Sequence, residues 1–348
     1  MTLGLAGTAA QVEDHGGSLG RARLLFPHAP EPWIDLSTGI NPHSYPLFTL
    51  PQTALTRLPE PARIAELAQV AAKAYGAPSA DDVVAAPGTQ ILLPLVMKLV
   101  KPGRAAILGP TYAEHARAAA LAGHQVAETD RFEDLAEANL VVVVNPNNPD
   151  GRILERSRLL ELAETLGKKG GLLVVDEAFM DVGLRADSVA GDADREGIVV
   201  LRSFGKFFGL AGVRLGYAIV SKAIARKLND ELGPWAISGT ALEYGLKALA
   251  DLEWQSGMRA RLKQEATRLD LLLATHGIVV KGGTPLFRFV EHSDAAAIFD
   301  RLGRHGVLVR RFDRLPNCLR FGLPADETAM ARLDEALTAW RKKRDEPA

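Results

Sequence analysis

Only one of the 348 residues is a cysteine, Cys318, so no disulfide can close within the chain. That thiol count fits a reducing compartment. No run of eighteen or more apolar residues occurs, which excludes a transmembrane helix of ordinary length. Residues 1–20 carry an acidic pair and several glycines, not a charged-then-apolar signal layout, and a cytoplasmic location is expected. Charge of one sign is also missing. Lys and Arg number 41 against 42 Asp and Glu, a net charge of -1, and no basic block stands out. Neither nucleic acid nor a membrane surface is expected as a partner. Internal repeats and low-complexity tracts are absent. No Gly-x-Gly-x-x-Gly follows a strand-like run, and Gly205-Lys206-Phe207 lacks the Ser or Thr that a nucleotide-binding loop places after its lysine. The stretch before Asp35 is too short for the helix-turn-helix module of a DNA-binding regulator, so that class is not expected.

What is present is globular material, 47% hydrophobic and 24% charged, enough for a sizeable core. Between Asp81 and Val220, short β-branched runs alternate with helix-compatible stretches. The runs begin at Val83, Ala105, Leu140, Leu172, Ile198 and Tyr217. Apolar runs without polar alternation predict strands buried on both faces, hence a mostly parallel sheet between helices in a three-layer α/β/α domain. Beyond Ser221 the pattern becomes helical to about His276. Four strand-like segments and a closing helix over 326–343 follow, which reads as a smaller α+β domain. The expected division is a Pro- and Gly-rich arm or lid over 1–50 that contributes to the small domain and the site, a large domain over 51–230, and a small domain over 231–348.

In an open α/β sheet, ligands bind beyond the carboxyl ends of the strands, and the notable residues follow the apolar runs. Gly88 and Thr89 open a helix, as a phosphate cradle or as a plain N-cap. Tyr112 offers a ring face or packs on its loop. Asn148 lies in a rigid turn with two Asn-Pro dipeptides and can donate to a phenolate oxygen. Asp176 ends a buried run, where a carboxylate needs a partner: a protonated ring nitrogen, an arginine or a turn N–H. Lys206 is boxed in by glycines and phenylalanines. Desolvation there frees its amine as a nucleophile for a carbonyl cofactor, unless it simply reaches solvent from a strand end. Ser203 and Arg214 flank it and can hold a phosphate. Each feature alone has its plain structural explanation. Their order at successive strand ends points to pyridoxal phosphate.

At these residues the sequence resembles the fold-type-I pyridoxal-phosphate enzymes, in the branch of histidinol-phosphate aminotransferases and threonine-phosphate decarboxylases, along nearly its whole length. The motifs are Asn148-Pro149-Asp150-Gly151, Asp176-Glu177-Ala178, and Ser203-x-x-Lys206 with Arg214. The resemblance implies pyridoxal 5'-phosphate as cofactor and no metal. Lys206 would be the Schiff-base lysine, Asp176 the partner of the ring nitrogen, Asn148 that of the phenolic oxygen, and Tyr112 the stacking ring. Gly88, Thr89, Ser203 and Arg214 would hold the phosphate, and Arg320 the substrate carboxylate. His15-Gly16-Gly17 and the stretch from Asp35 to Pro42 resemble the decarboxylases of cobalamin synthesis. Those convert L-threonine O-3-phosphate to (R)-1-amino-2-propanol O-2-phosphate. His15 and Gly16 would then lie near the substrate phosphate and Asn41 near its carboxylate, although His15 also reads as a tail residue. Phe179 replaces the usual aminotransferase tyrosine, which favours the decarboxylases. Leu58 stands where histidinol-phosphate enzymes often have a tyrosine that reaches the neighbouring subunit. Asp150 replaces the commoner threonine. The alternative expectation is an aminotransferase acting on histidinol phosphate or a related amino acid. The family implies a homodimer acting on a small phosphorylated amino acid.

Overall fold

The computed structural model describes residues 15–345, which fall into two compact units. The first fourteen positions of the expected arm lie outside the described residues. Among those described, no helix is long and apolar enough to cross a membrane. The strands in chain order are β1 (Ile34–Leu36), β2 (Val83–Ala86), β3 (Arg104–Leu108), β4 (Gln125–Thr129), β5 (Leu140–Val144), β6 (Leu172–Asp176), β7 (Ile198–Ser203), β8 (Gly216–Val220), β9 (Val280–Thr284), β10 (Phe287–Glu291), β11 (Val307–Phe312) and β12 (Leu315–Gly322).

The first unit comprises Ser44–Asn148 and Arg152–Gln255. Its sheet has seven strands in the order β2-β8-β7-β6-β5-β3-β4. β8 runs antiparallel to both neighbours, and the other adjacent pairs are parallel. All five residues of β5 and of β6 are buried, because helices cover both faces. Val142, Val174, Val199 and Val220 join Leu92, Leu93 and Val96 of helix Thr89–Met97 in one apolar cluster. Each such side chain contributes about 1.5–3 kcal/mol over exposure. Helix Arg156–Gly167 buries Leu159, Leu162, Ala163 and Leu166, the face its periodicity predicts, and packs near β6. Strand β4 was not among the predicted runs. It lies at the sheet edge with only Val126 fully buried, so its Gln-Val-Ala-Glu-Thr sequence needs no apolar run.

The second unit comprises residues 15–43, Pro149–Gly151 and residues 256–345. Its five-stranded sheet has the order β1-β11-β12-β10-β9, antiparallel except for β1 beside β11. Residues 15–43 are built into this unit. Ile34 N–H donates to the Gly306 carbonyl at 2.8 Å. The Phe26 ring lies 5.9 Å from that of Phe299 and fills the space where a Cβ on Gly303 would stand. The division expected at 230/231 falls instead after Gln255, within helix Leu252–Thr275. Helices Lys222–Leu232 and Gly239–Ala250 pack on β8 and on helix Pro61–Tyr75 of the first unit.

Candidate active site

Strand register brings the predicted residues of the first unit to one rim. Val144 pairs with Asp176 and Asp176 with Leu201, while Gly216 pairs with both Ser203 and Ala86. The carboxyl ends of β2, β5, β6 and β7 and the start of β8 therefore share an edge. Gly88 has φ +84 and caps helix Thr89–Met97. A Cβ there would come within 2.7 Å of the Arg214 guanidinium, and one on Gly216 within 2.6 Å of Thr89 N. Arg214 is itself left-handed (φ 57), and its Nη1 donates to the Ala211 carbonyl at 3.2 Å. Backbone N–H groups, the positive end of a nine-residue helix and a guanidinium meet where only glycine fits. That is an anion cradle.

Asp176 is buried at the end of β6, and its Oδ1 accepts from Ala178 N–H at 3.0 Å. Its Oδ2 lies 2.9 Å from Nε2 of the fully buried His115, an electrostatic contact and not an aligned hydrogen bond. Lys206 is half-buried on the short helix Phe204–Phe207, between buried neighbours, with Nζ 5.6 Å from the centre of the Phe179 ring. Beneath it, Phe204 stacks on Phe208 at 4.5 Å, and Phe208 stacks on Trp254 at 5.7 Å. Tyr45 packs edge-on against Trp254 and donates to Asp251 at 3.0 Å. Burial and that carboxylate push the Tyr45 phenol up to about 12. Tyr112 donates to Gln90 Oε1 at 3.2 Å, and its ring meets that of His115 edge-on. Asn148 is half-buried, and Asn147 N–H donates to the Arg152 carbonyl across the base of its turn. A glycine cradle beside an arginine, a buried carboxylate and a lysine amine on a shared rim fit a phosphorylated pyridine aldehyde.

Of the residues expected at the substrate, Asn148 belongs to the first unit, and His15, Gly16, Asn41 and Arg320 lie in the second. Gly16 sits against Ser37, whose carbonyl would overlap a Cβ on it. Gly17 N–H donates to Ser37 Oγ at 2.7 Å, and Ser37 Oγ donates to Asp35 at 2.6 Å. His15, Ser18, Arg21, Ser37, Arg310 and Arg311 line a pocket with no acidic side chain. Asn41 is buried and accepts from His43 N–H at 2.8 Å. Arg320 is buried, and its Nη2 donates to the Ser37 carbonyl at 2.9 Å. In the hairpin register Arg310 stands opposite Arg320. Burial, with the like charge of Arg310 beside it, lowers Arg320 to about 9.

Sequence reasoning missed His115, Tyr45 and Arg310, as well as a buried ionic cluster. In that cluster Arg202 reaches Glu177 at 2.8 Å and Asp181 at 2.5 Å. The Ser188 hydroxyl and Val189 N–H also donate to Glu177. Burial raises the Glu177 carboxyl despite these partners. His115 stands in the plain helix Glu114–Leu121 and Arg310 in a hairpin, where nothing local marks a role. Only Glu177-Ala178, next to Asp176, offered a signal.

Comparison with known proteins places this geometry in a family. The profile described as "Aminotransferase class I and II" matches residues 33–339. A threonine-phosphate decarboxylase from Pseudomonas aeruginosa is 42% identical over 332 residues, 94% of this chain and 98% of that protein. A histidinol-phosphate aminotransferase from Rhodospirillum centenum is 35% identical, over 58% of each chain. Among solved structures, histidinol-phosphate aminotransferase from Sinorhizobium meliloti in complex with pyridoxal-5'-phosphate aligns with a TM-score of 0.74 at 24% identity, covering 84% of this chain and 85% of that one, and shares the fold. With matches of this extent, the chain belongs to the class I and II aminotransferase family.

Proposed function

We propose that this protein uses pyridoxal 5'-phosphate to decarboxylate L-threonine O-3-phosphate to (R)-1-amino-2-propanol O-2-phosphate, a step of cobalamin biosynthesis. The observation that carries this reading is the 42% identity to a threonine-phosphate decarboxylase along 94% of the chain, against 58% coverage by the aminotransferase relative. Two features of the second unit support it: the acid-free pocket with three arginines, and the cross-strand pair Arg310 and Arg320. Both suit a substrate with a carboxylate and a phosphate.

When bound, the cofactor supplies an electron sink for the pair left by a broken Cα bond. Gly88, Thr89, Ser203 and Arg214 hold its phosphate. Asp176, steadied by Ala178 N–H and His115, keeps a proton on the ring nitrogen. Tyr112 covers the ring face, and Asn148 donates to the phenolic oxygen. Lys206 would hold the cofactor's aldehyde through its amine, and that amine would be the group that carries a proton to Cα. His15 and Gly16 hold the substrate phosphate, while Asn41 and Arg320 hold its carboxylate. Held at both ends in this way, the substrate would be fixed in one orientation. Phe179 offers no hydroxyl to the phenolic oxygen. Leu47, Leu55, Leu58 and Trp235 are exposed apolar residues of the first unit, which supports a homodimer. The single buried cysteine supports a cytoplasmic location.

Incubation of the purified protein with L-threonine O-3-phosphate tests the reaction. Carbon dioxide and aminopropanol phosphate are the expected products. Efficient 2-oxoglutarate-dependent transfer from histidinol phosphate, without gas release, sinks the proposal. Lys206→Ala is expected to lose the visible absorbance of the lysine-bound cofactor.

A further inference from the structure

Three residues of the turn after β5, Pro149–Gly151, group with the second unit, whereas Asn148 and Arg152 on either side group with the first. The base of the turn is closed by Asn147 N–H donating to the Arg152 carbonyl at 2.8 Å. Its tip meets β9, the edge strand of the five-stranded sheet. The approach is backbone to backbone and reciprocal. A Cβ on Gly282 would overlap the Asp150 carbonyl, and one on Gly151 would overlap the Gly283 backbone. Gly151 (φ +76) and Gly283 (φ +141) also need glycine for their conformation. Gly282 does not: its φ lies outside the left-handed region, so only the closeness of the turn excludes a side chain there. Opposite this contact the pairing of β9 with β10 shifts register between Phe289 and Val290.

We infer that Gly282 and Gly151 form a backbone clamp that sets the orientation of Asn148, with Gly282 a positioning residue acting through the turn. A turn pinched at its base and pressed at its tip has little freedom to rotate its first residue. Asn148 is bonded directly to Pro149, the first residue of the clamped segment. The inference rests on the assignment of Asn148 to the phenolic oxygen.

The pH midpoint of the visible band of the bound cofactor reads this directly. An N–H donated to the phenolic oxygen draws charge from it and makes the neighbouring proton of the lysine linkage more acidic. Loss of the donor therefore raises the midpoint. Asn148→Ala is expected to raise it by about one pH unit. Gly282→Ala, which keeps Asn148, is expected to raise it by about half a unit or more, with unchanged cofactor stoichiometry. Gly257→Ala, in open space on helix Leu252–Thr275, is expected to leave it in place. If Asn148→Ala shifts the midpoint and Gly282→Ala leaves it at the wild-type value, the clamp is wrong and the Asn148 assignment stands. If Asn148→Ala itself leaves it in place, the assignment fails, and the clamp with it. Should Gly282→Ala not fold, hydrogen exchange of the wild-type holoenzyme decides. The amides of residues 147–152 and 280–284 are expected to lose protection together in mild urea, and independent loss overturns the clamp.

Discussion

Asp176 shows how much one carboxylate depends on its neighbours. It ends a strand buried along its length, where an unpaired charge is costly. Ala178 N–H holds one oxygen and His115 lies against the other. In the proposed reading this carboxylate is the partner of a protonated ring nitrogen. Asp176→Asn keeps the shape and removes the charge. It is expected to lower kcat for carbon dioxide release by about a hundredfold, the scale of a charge-assisted hydrogen bond lost in a buried site. Single-turnover measurement on fully loaded protein checks this. A loss under threefold means that Asp176 does not bear on the reaction. The sequence marked Asp176 because a carboxylate at the end of five apolar residues is conspicuous. It was silent on His115, which comes from a different strand-to-helix segment and meets Asp176 only through the β3-β5-β6 order of the sheet.

Among elements, those buried on both faces were the legible ones. Strands β5 and β6 are runs of Leu and Val because helices cover both their faces, and helix Arg156–Gly167 carries its apolar stripe as its periodicity requires. Edge elements hid. Strands β4 and β1 have a neighbour on one side only, so their sequences resemble loops, and among the described residues of the expected arm only Ile34–Leu36 joins a sheet. Strand ends were legible as a set because the topology gathers them on one rim. The connection from β2 to helix Thr89–Met97 is the tightest case. There Gly88 combines φ +84 with an arginine 2.7 Å from any Cβ. Gly88→Ala is expected to strain the backbone by about 1 kcal/mol or more and to displace Arg214 from the cradle. The predicted outcome is at least a tenfold weaker affinity of the apoprotein for pyridoxal phosphate, measured by equilibrium titration of absorbance. Unchanged affinity removes Gly88 and Arg214 from the phosphate site.

At the scale of the whole molecule, three tyrosines of the first unit tie stability to alkaline pH. Burial and Asp251 raise Tyr45 to about 12, and burial foremost holds Tyr75 and Tyr217 well above the ordinary phenol value of 10. A phenol whose folded pKa exceeds its unfolded one stabilises the fold fully below pH 10. That contribution is lost as pH rises through the folded value, because the unfolded chain sheds its proton first. The protein is therefore expected to lose thermal stability progressively between pH 10 and pH 12. Tyr45→Phe separates one tyrosine from the other two. At pH 7 it removes the hydrogen bond to Asp251 and is expected to cost about 1 kcal/mol. As pH climbs from 10 towards 12 the wild type loses the Tyr45 contribution and the variant has none to lose, so the two melting curves converge and then cross. Thermal melts of both proteins across that window make the comparison. A gap that stays constant from pH 7 to pH 12 means that the Tyr45 phenol titrates alike in the folded and unfolded chains, and its burial against Trp254 and Asp251 then carries no linkage to pH.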